Sequence, residues 1–309
     1  MIRAIIDRLR TFWRLSVLTQ IAVDQEMRSL RSEAARDTPG NPMTQGFKVY
    51  SQTDEDGIIE AIFSAVGCRS RIFVEIGASD GLENNTHYLL HKGWRGVWIE
   101  GSQKRVDRLR QSLERESSEE RGTKEPDLCV ASARIDRANV DATIASCLRR
   151  LENGACPSEI DLLSIDIDGN DLPVLEAVHC VRPRVICAEY NAKFPPPTCV
   201  QVEYDPELRW AGDDYMGASL SSWVKALSKR GYTLVSCNVS GSNAFFVDDE
   251  ALRASALPVH APSALYKPAR YHLMFRHSGH RASLAYLARA KSVAFMPSGS
   301  IDAPTASPH

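Results

Sequence analysis

The chain has 309 residues, of which 43% are hydrophobic and 25% are charged, and its formal net charge is −2. This length allows one large domain with appendages, or two small domains. The near-neutral charge does not favour nucleic acid as a partner, because binding a polyanion requires an excess of basic residues. Eight cysteines without a C-x-x-C pair, and no apolar run of roughly 20 residues, predict a cytoplasmic protein with reduced cysteines and no membrane-spanning helix.

Residues 1–23 carry apolar side chains at helical spacing with arginines among them. The pattern predicts an amphipathic helix and lacks the uninterrupted apolar core and cleavage site of a signal peptide. Two roles fit such a helix. It packs on its own domain or on a second subunit of a homo-oligomer, or it lies peripherally on the anionic inner face of a membrane. Residues 32–46 are polar and contain Pro and Gly, so they are predicted to be a linker, and residues 1–45 stand outside the main domain.

Between residues 46 and 250, strand-like and helix-like segments alternate. The predicted strands cover 71–76, 96–100, 128–135, 160–167 and 184–190, and the predicted helices cover 84–92, 102–116, 139–151 and 171–179. This alternation implies crossover connections and a parallel sheet with helices on both faces.

The pattern changes after residue 217. A helical segment is followed by two strands separated only by Ser-Gly-Ser at 240–242, and so short a link makes an antiparallel hairpin. The predicted fold is therefore α/β, with a mostly parallel seven-stranded sheet, helices on both faces and a C-terminal antiparallel hairpin. This arrangement is typical of Rossmann-like methyltransferases, and it assigns residues 46–250 to one domain.

Two charged or polar segments complete the chain. The insert at 111–126 is highly charged and is expected to be a solvated helix end and loop. Residues 251–309 are predicted to be a C-terminal extension. Its tail, after about residue 290, is rich in Pro, Ser and Ala and is predicted to be disordered, because it lacks the apolar content to fold.

The first predicted strand runs into an acidic loop with glycines, EIGASDG at 75–81. Glycine lets the backbone turn sharply and lets a ligand approach the carboxyl end of the strand. The G-x-G-x-x-G spacing is absent, and three carboxylates in and beside the loop would repel the pyrophosphate of a dinucleotide. S-Adenosylmethionine has no phosphate and carries an ammonium and a sulfonium, which carboxylates attract. Glu100, at the end of the second strand, stands where an acid accepts hydrogen bonds from ribose hydroxyls.

Acidic residues also follow the fourth and fifth predicted strands. Asp166 and Asp168 are two residues apart and therefore point to one face of an extended strand. Glu189 and Asn191 reach the same edge of the sheet from the next strand. Adjacent carboxylates are costly unless a cation or a proton lies between them.

Two chemical roles are open for this group. One carboxylate acts as the general base for an acceptor hydroxyl, or Asp168, Glu189 and Asn191 hold a divalent cation such as Mg²⁺. His87, on the predicted helix after the first loop, is a second candidate base. The loop at 193–216, with its aromatic residues Tyr204, Trp210 and Tyr215, is the predicted acceptor wall.

Together these segments resemble the FkbM-type methyltransferase family. The similar segments span about residues 50–247 in the expected order and are SQTDEDGIIEAIF, FVEIGASDGLENNTHYLL, GWRGVWIEG, DLLSIDIDGND, AEYNAKFPP, YMGASLSSWVKALSKRGYTLV and NAFFV. The resemblance implies methyl transfer from S-adenosylmethionine, usually to a hydroxyl of a sugar or other secondary metabolite. It implies cofactor contacts from Glu75, Gly77, Ala78, Asp80, Gly81, Glu100 and Asp166, with Asp166 and Asp168 beside the transferred methyl.

One departure from the family concerns the turn after the fourth strand. Many relatives carry an aromatic residue there, whereas this chain has Leu172 and Pro173 after Asp171, which puts the acceptor preference in question. Two other functions stay open on the sequence. One is a non-catalytic scaffold or membrane-associated protein that retains the fold, and the other is an NAD-dependent oxidoreductase.

Overall fold

The computed structural model describes residues 2–116, 127–275 and 280–297, with side chains for all of them except 2–13, 116 and 275. The helices are α1 (Ile2–Asp37), α2 (Glu55–Val66), α3 (His87–His91), α4 (Gln103–Glu116), α5 (Val140–Leu151), α6 (Asp171–Glu176), α7 (Leu220–Ser228), α8 (Asp249–Arg253), α9 (Pro262–Leu265) and α10 (Ala285–Ala290), with 3-10 helices at Pro42–Gln45 and Tyr271–Phe275. The strands are β1 (Ile72–Ile76), β2 (Arg95–Glu100), β3 (Leu128–Ser132), β4 (Glu159–Ile165), β5 (Arg182–Glu189), β6 (Tyr232–Cys237), β7 (Asn243–Asp248) and β8 (Val293–Phe295).

The eight strands form one sheet in the order β6-β7-β5-β4-β1-β2-β3-β8. Strand β7 pairs antiparallel with β5 and β6, and the other neighbours pair in parallel. The predicted Rossmann-like methyltransferase fold with its antiparallel hairpin is thereby confirmed, except that the sheet has eight strands instead of the predicted seven. The chain leaves β1 towards β2 and β3 and then returns to β4 on the other side. The switch point, where open α/β sheets bind ligands, therefore lies at the carboxyl ends of β1 and β4.

Strand β1 shows why the sheet is rigid at this point. Its five residues are all buried, and successive side chains point to opposite faces. Phe73 packs in the apolar layer that contains residues of α2, α4 and α10. Ile72, Val74 and Ile76 pack in the layer that contains residues of α5, α6 and α7. A strand covered on both faces is typical of parallel sheets, and it fixes the loop that follows.

The predicted linker at 32–46 is wrong. Helix α1 continues to Asp37, and Met43 in the following 3-10 helix is fully buried. Asn41 is also buried, and its side-chain oxygen accepts hydrogen bonds from Met43 N (3.0 Å) and Ser236 Oγ (2.7 Å). Pro and Gly content indicated a flexible segment, but these internal partners satisfy its polar groups and let it pack.

The C-terminal extension is part of the folded body. Strand β8 pairs with β3, so the prediction of disorder from about residue 290 is wrong for 293–295; residues 298–309 lie outside the described part. Leu273 and Leu287 of the extension are fully buried in the core layer of α2 and α4. A three-residue strand needs little apolar content, because it only extends an existing sheet edge. The insert at 111–126 is helical to Glu116, and its remainder lies outside the described residues.

Within the described part of the chain, no helix combines the length and the apolarity needed to cross a membrane.

Candidate active site

A cavity of about 1070 Å³ opens at the carboxyl ends of the central strands. Four of the five parallel strands β1 to β5 bring an acid or a glycine to its wall at the end of the strand or just after it. These residues are Gly77 after β1, Glu100 at the end of β2, Asp166 and Asp168 after β4, and Glu189 at the end of β5. The cavity thus lies at the switch point of the sheet, where the topology places a ligand site.

Glycine is required at the first position of this wall. Gly77 has φ +96°, and a Cβ built on it would lie 1.7 Å from the carbonyl oxygen of Asp166. Its N–H donates to Ile99 O at 2.8 Å. The loop after β1 is therefore held in contact with both neighbouring strands, β2 and β4. Gly81 has φ +73° and packs on the ring of Trp98, so it shapes the loop from behind the cavity wall.

Glu100 is held firmly at the end of β2. Its side chain is buried, and its oxygens accept hydrogen bonds from Ser79 N at 2.9 Å and Ser102 N at 2.8 Å. Arg105 Nη1 lies 3.6 Å away. Each carboxylate oxygen has a second lone pair, so Glu100 can accept further hydrogen bonds from a ligand in the cavity, as the sequence predicts for ribose hydroxyls.

Asp166, Asp168 and Glu189 form an acidic cluster, in which one carboxylate oxygen of each lies within 4.8 Å of the others. The sequence predicted that the two aspartates lie close together on one face of an extended strand. In the structure a turn, and not the strand, brings them together. Strand β4 ends at Ile165, and Asp168 stands in a turn with φ +59°. Asp171 holds this turn, because its carboxylate accepts hydrogen bonds from Ile167 N (2.7 Å) and Gly169 N (2.9 Å).

The three carboxylates of the acidic cluster lie close together and form no ion pair with a basic side chain among the described residues. Burial, followed by the charges of Asp171 and Asp168, raises the pKa of Asp166 well above its usual range. Burial, followed by the charge of Asp166, does the same to the pKa of Glu189. The Oε2 atom of Glu189 is buried without a hydrogen-bond partner in the described structure. Such a group is stabilised by a cation or by a proton.

Several predicted site residues do not reach the cavity. Asp80, Gly77, Glu100, Asp166, Asp168 and Glu189 line it, whereas Glu75, Ala78, Gly81, His87 and Asn191 do not. Ala78 is buried in the apolar layer of α2 and α4. Asn191 does not line the cavity, and its Oδ1 atom, the predicted metal ligand, accepts a hydrogen bond from Lys193 N (3.2 Å), while Nδ2 donates to Asp214 O (2.9 Å) and Met216 O (3.0 Å). It anchors the loop at 193–216 instead.

His87 is a structural residue and not the predicted second base. Its ring is fully buried, contacts Gly81 O through Nδ1 at 2.7 Å and stacks on Tyr50 with 3.7 Å between ring centroids. Burial, followed by the charge of His91, lowers the pKa of His87 to about 3, so the ring stays neutral. The sequence could not show this, because α3 begins only at residue 87 and turns this ring away from the cavity.

Glu75 supports the site from within the core. Its carboxylate is buried and accepts hydrogen bonds from Asn85 N (2.9 Å) and Thr86 Oγ1 (2.5 Å). Thr86 Oγ1 in turn accepts a hydrogen bond from Trp98 Nε1 at 2.8 Å. Glu75 therefore joins the loop after β1 to β2, instead of contacting the cavity as the sequence predicted.

Burial raises the pKa of Glu75 to about 7, and we expect stability to depend on pH accordingly. The folded state holds a proton that the unfolded chain releases near pH 4.5, so this contribution is complete below that pH and is lost as pH rises through 7. The pKa of Asp54 is raised in the same direction, also by burial. The free energy of unfolding, measured with denaturant from about pH 5 to about pH 8, should fall as pH rises.

The matched variants for this prediction are Glu75→Gln, which cannot titrate, and Glu207→Gln at the exposed side chain that pairs with Arg134. The first should flatten part of the pH slope, and the second should retain the slope of the unmodified protein. A pH slope in Glu75→Gln as steep as that of the unmodified protein would contradict the raised pKa of Glu75.

Another part of the cavity wall comes from the C-terminal extension, which the sequence did not single out as part of the site. Tyr271 and Met274 of the C-terminal extension line it beside Trp210 and Met216 of the loop at 193–216. Partial burial, followed by the charge of Glu189, raises the pKa of Tyr271. No local pattern could reveal these residues, because only the packing of the extension on the domain brings them to the cavity.

The predicted acceptor wall is present in part. Trp210 lines the cavity, whereas Tyr204 and Tyr215 do not. Their hydroxyl groups accept hydrogen bonds from Arg137 N (3.3 Å) and Glu203 N (3.1 Å) respectively, which joins Tyr204 to the segment between β3 and α5 and Tyr215 to another part of its own loop. Two basic residues of the wall, Lys48 and Arg134, form ion pairs with acidic residues. Lys48 lies 3.4 Å from Glu83, and Arg134 lies 2.8 Å from Glu207.

Three solved structures illustrate what the chain is similar to. The N-terminal domain of EvdMO1 with SAH and D-fucose is 15% identical over 71% of this chain and 94% of that one, with a TM-score of 0.37. An S-adenosylmethionine-dependent methyltransferase from Clostridium acetobutylicum is 10% identical over 65% and 92%, with a TM-score of 0.35. The glycopeptide N-methyltransferase MtfA is 14% identical over 63% and 89%, with a TM-score of 0.35.

No family model and no curated protein matches the chain. The resemblance to the FkbM-type family therefore stays a prediction.

Proposed function

We propose that this protein is an S-adenosylmethionine-dependent methyltransferase that methylates a hydroxyl oxygen of a small molecule or glycan. The observation that carries the proposal is the acidic cluster. Three carboxylates without a cationic partner among the described residues line a large cavity at the switch point of the sheet. Such a wall attracts a cationic ligand and repels a phosphate-bearing dinucleotide, which disfavours the alternative of an NAD-dependent oxidoreductase.

The donor set of the cavity fits S-adenosylmethionine. Glu100 would accept hydrogen bonds from the ribose, and the backbone at Gly77, which lines the cavity, would border the rest of the molecule. The unpartnered Oε2 of Glu189 and the raised pKa of Asp166 support a cationic ligand at this cluster, because a positive charge would stabilise the ionised carboxylates. The cofactor, when bound, supplies a positively charged sulfonium and its methyl group.

The same cluster supports the choice of a hydroxyl as acceptor. A general base is most effective when its pKa lies near the working pH, and burial has moved the pKa of Glu189 upwards from the usual carboxylate range. Glu189 or Asp168 would take the hydroxyl proton, while Trp210 and Tyr271 would pack against a sugar ring or a planar metabolite. Holding both reactants in line would supply much of the acceleration.

Calorimetric titration tests the proposal. S-Adenosylhomocysteine should bind with one site per chain, and NADH should not bind. Titrations with added Mg²⁺ and with a chelator separate the two roles of the cluster, because a metal ligand set would make binding depend on the ion. If NADH bound and S-adenosylhomocysteine did not, the assignment would be wrong; if neither bound, the scaffold alternative would replace it.

A further inference from the structure

Helix α1 packs on the domain through its second half. Among its described side chains, from residue 14 onwards, the buried apolar ones lie in the second half of the helix and are Val23, Met27, Leu30 and Ala34. Every side chain from residue 14 to residue 19 is exposed or half-buried. With a rise of 1.5 Å per residue, the part of α1 before Val23 is about 30 Å long.

This part of α1 presents apolar side chains to solvent. Leu15 is 57% exposed, Leu18 is 62% exposed and Ile21 is 48% exposed. They are three residues apart and so lie along one side of the helix. A contiguous exposed apolar patch of this kind marks an interaction surface. The sequence before it adds further apolar residues, which are Ile2, Ile5, Ile6, Leu9, Phe12 and Trp13.

The charge of the same segment indicates the partner. Residues 1–23 contain one acid, Asp7, and four basic residues, Arg3, Arg8, Arg10 and Arg14. A second copy of the helix would bring the same positive charge and would be repelled. An anionic lipid surface complements it. Arginines interspersed with Leu, Ile, Phe and Trp are the composition of helices that lie in the membrane interface.

We propose that α1 attaches the protein to anionic membrane surfaces through the segment before Val23. The second half of α1 stays packed on the domain, where Glu26 pairs with His272 at 2.9 Å. The catalytic domain is thereby held at the lipid surface. This attachment is independent of the proposed methyl transfer, because no described residue of the segment lines the cavity.

Co-sedimentation of the full chain with vesicles tests the attachment. The protein should sediment with phosphatidylcholine vesicles that contain phosphatidylglycerol, and remain in solution with phosphatidylcholine alone. Added salt should release it, because the charge attraction is screened. The double variant Arg10→Gln and Arg14→Gln should weaken binding by about 25-fold, since each basic residue near the surface contributes about fivefold.

Two further variants keep the test specific. Leu15→Glu with Leu18→Glu should abolish sedimentation, whereas Val259→Glu, at a side chain as exposed as Leu18 (62%), should not. Unchanged thermal unfolding shows that the variants fold. The proposal is overturned if the full chain stays in solution with anionic vesicles, if it binds both vesicle types equally, or if light scattering shows a dimer that the leucine variants dissociate.

Discussion

Replacing Gly77 by alanine is expected to lower the free energy of unfolding by at least about 3 kcal/mol and to abolish binding of S-adenosylhomocysteine. The new Cβ would lie 1.7 Å from Asp166 O, at a residue with φ +96°. The side chain cannot move aside, because its neighbour is backbone of the adjacent strand end. Relief requires the loop after β1 to separate from β4, which would displace both Gly77 and Asp166 from the cavity wall.

Gly101→Ala is the matched control, because Gly101 follows β2 and also lines the cavity. Its new Cβ would lie 3.7 Å from the nearest atom, an ordinary contact. Denaturant unfolding of this variant should therefore resemble that of the unmodified protein. Equal stabilities of the two variants would show that the close approach of Gly77 to Asp166 does not exist in solution.

The second large effect concerns the charge of the methyl donor. Asp166→Asn should weaken binding of S-adenosylmethionine by about tenfold or more, and binding of S-adenosylhomocysteine much less. The sulfur of S-adenosylmethionine is a positively charged sulfonium, whereas the sulfur of S-adenosylhomocysteine is uncharged. Only S-adenosylmethionine would therefore place a positive charge at sulfur next to the acidic cluster. Asp166 is half-buried, so its interaction is less screened than that of a surface carboxylate.

The pH dependence of binding gives a second readout of the same variant. The pKa values of Asp166 and Glu189 are raised, and a bound cation favours their ionised forms. Binding of S-adenosylmethionine should therefore release protons and tighten as pH rises, and Asp166→Asn should remove part of this dependence. Glu207→Gln changes the net charge equally at an exposed side chain and should alter neither quantity. If Asp166→Asn weakened both ligands equally, the sulfonium would not be the group that the cluster recognises.

The fold was predictable because the strands of a parallel sheet are buried on both faces and read as apolar runs between helical segments. The ends of the elements were less predictable. The fourth strand was predicted to reach residue 167 but ends at Ile165, because Asp171 binds the backbone of the turn that follows. Helix α3 was predicted to begin at residue 84 but begins at His87, because Asn85 and Thr86 donate hydrogen bonds to Glu75.

The site was predictable where it follows from topology and unpredictable where it follows from packing. Gly77, Glu100 and the acidic cluster reach the cavity because they stand at the carboxyl ends of parallel strands. Glu75 and His87 have the right residue types in the right segment, but both are buried. Tyr271 joins the wall from a segment about 80 residues beyond Glu189, and no local periodicity encodes such a contact.

A crystal soaked with S-adenosylhomocysteine tests the central claim most directly. We expect density in the cavity, with the ribose hydroxyls on Glu100 and the sulfur beside Asp166, Asp168 and Glu189. Density for the ligand elsewhere, or a cavity in which lysine or arginine side chains of the protein pair with these three carboxylates and exclude it, would contradict the account.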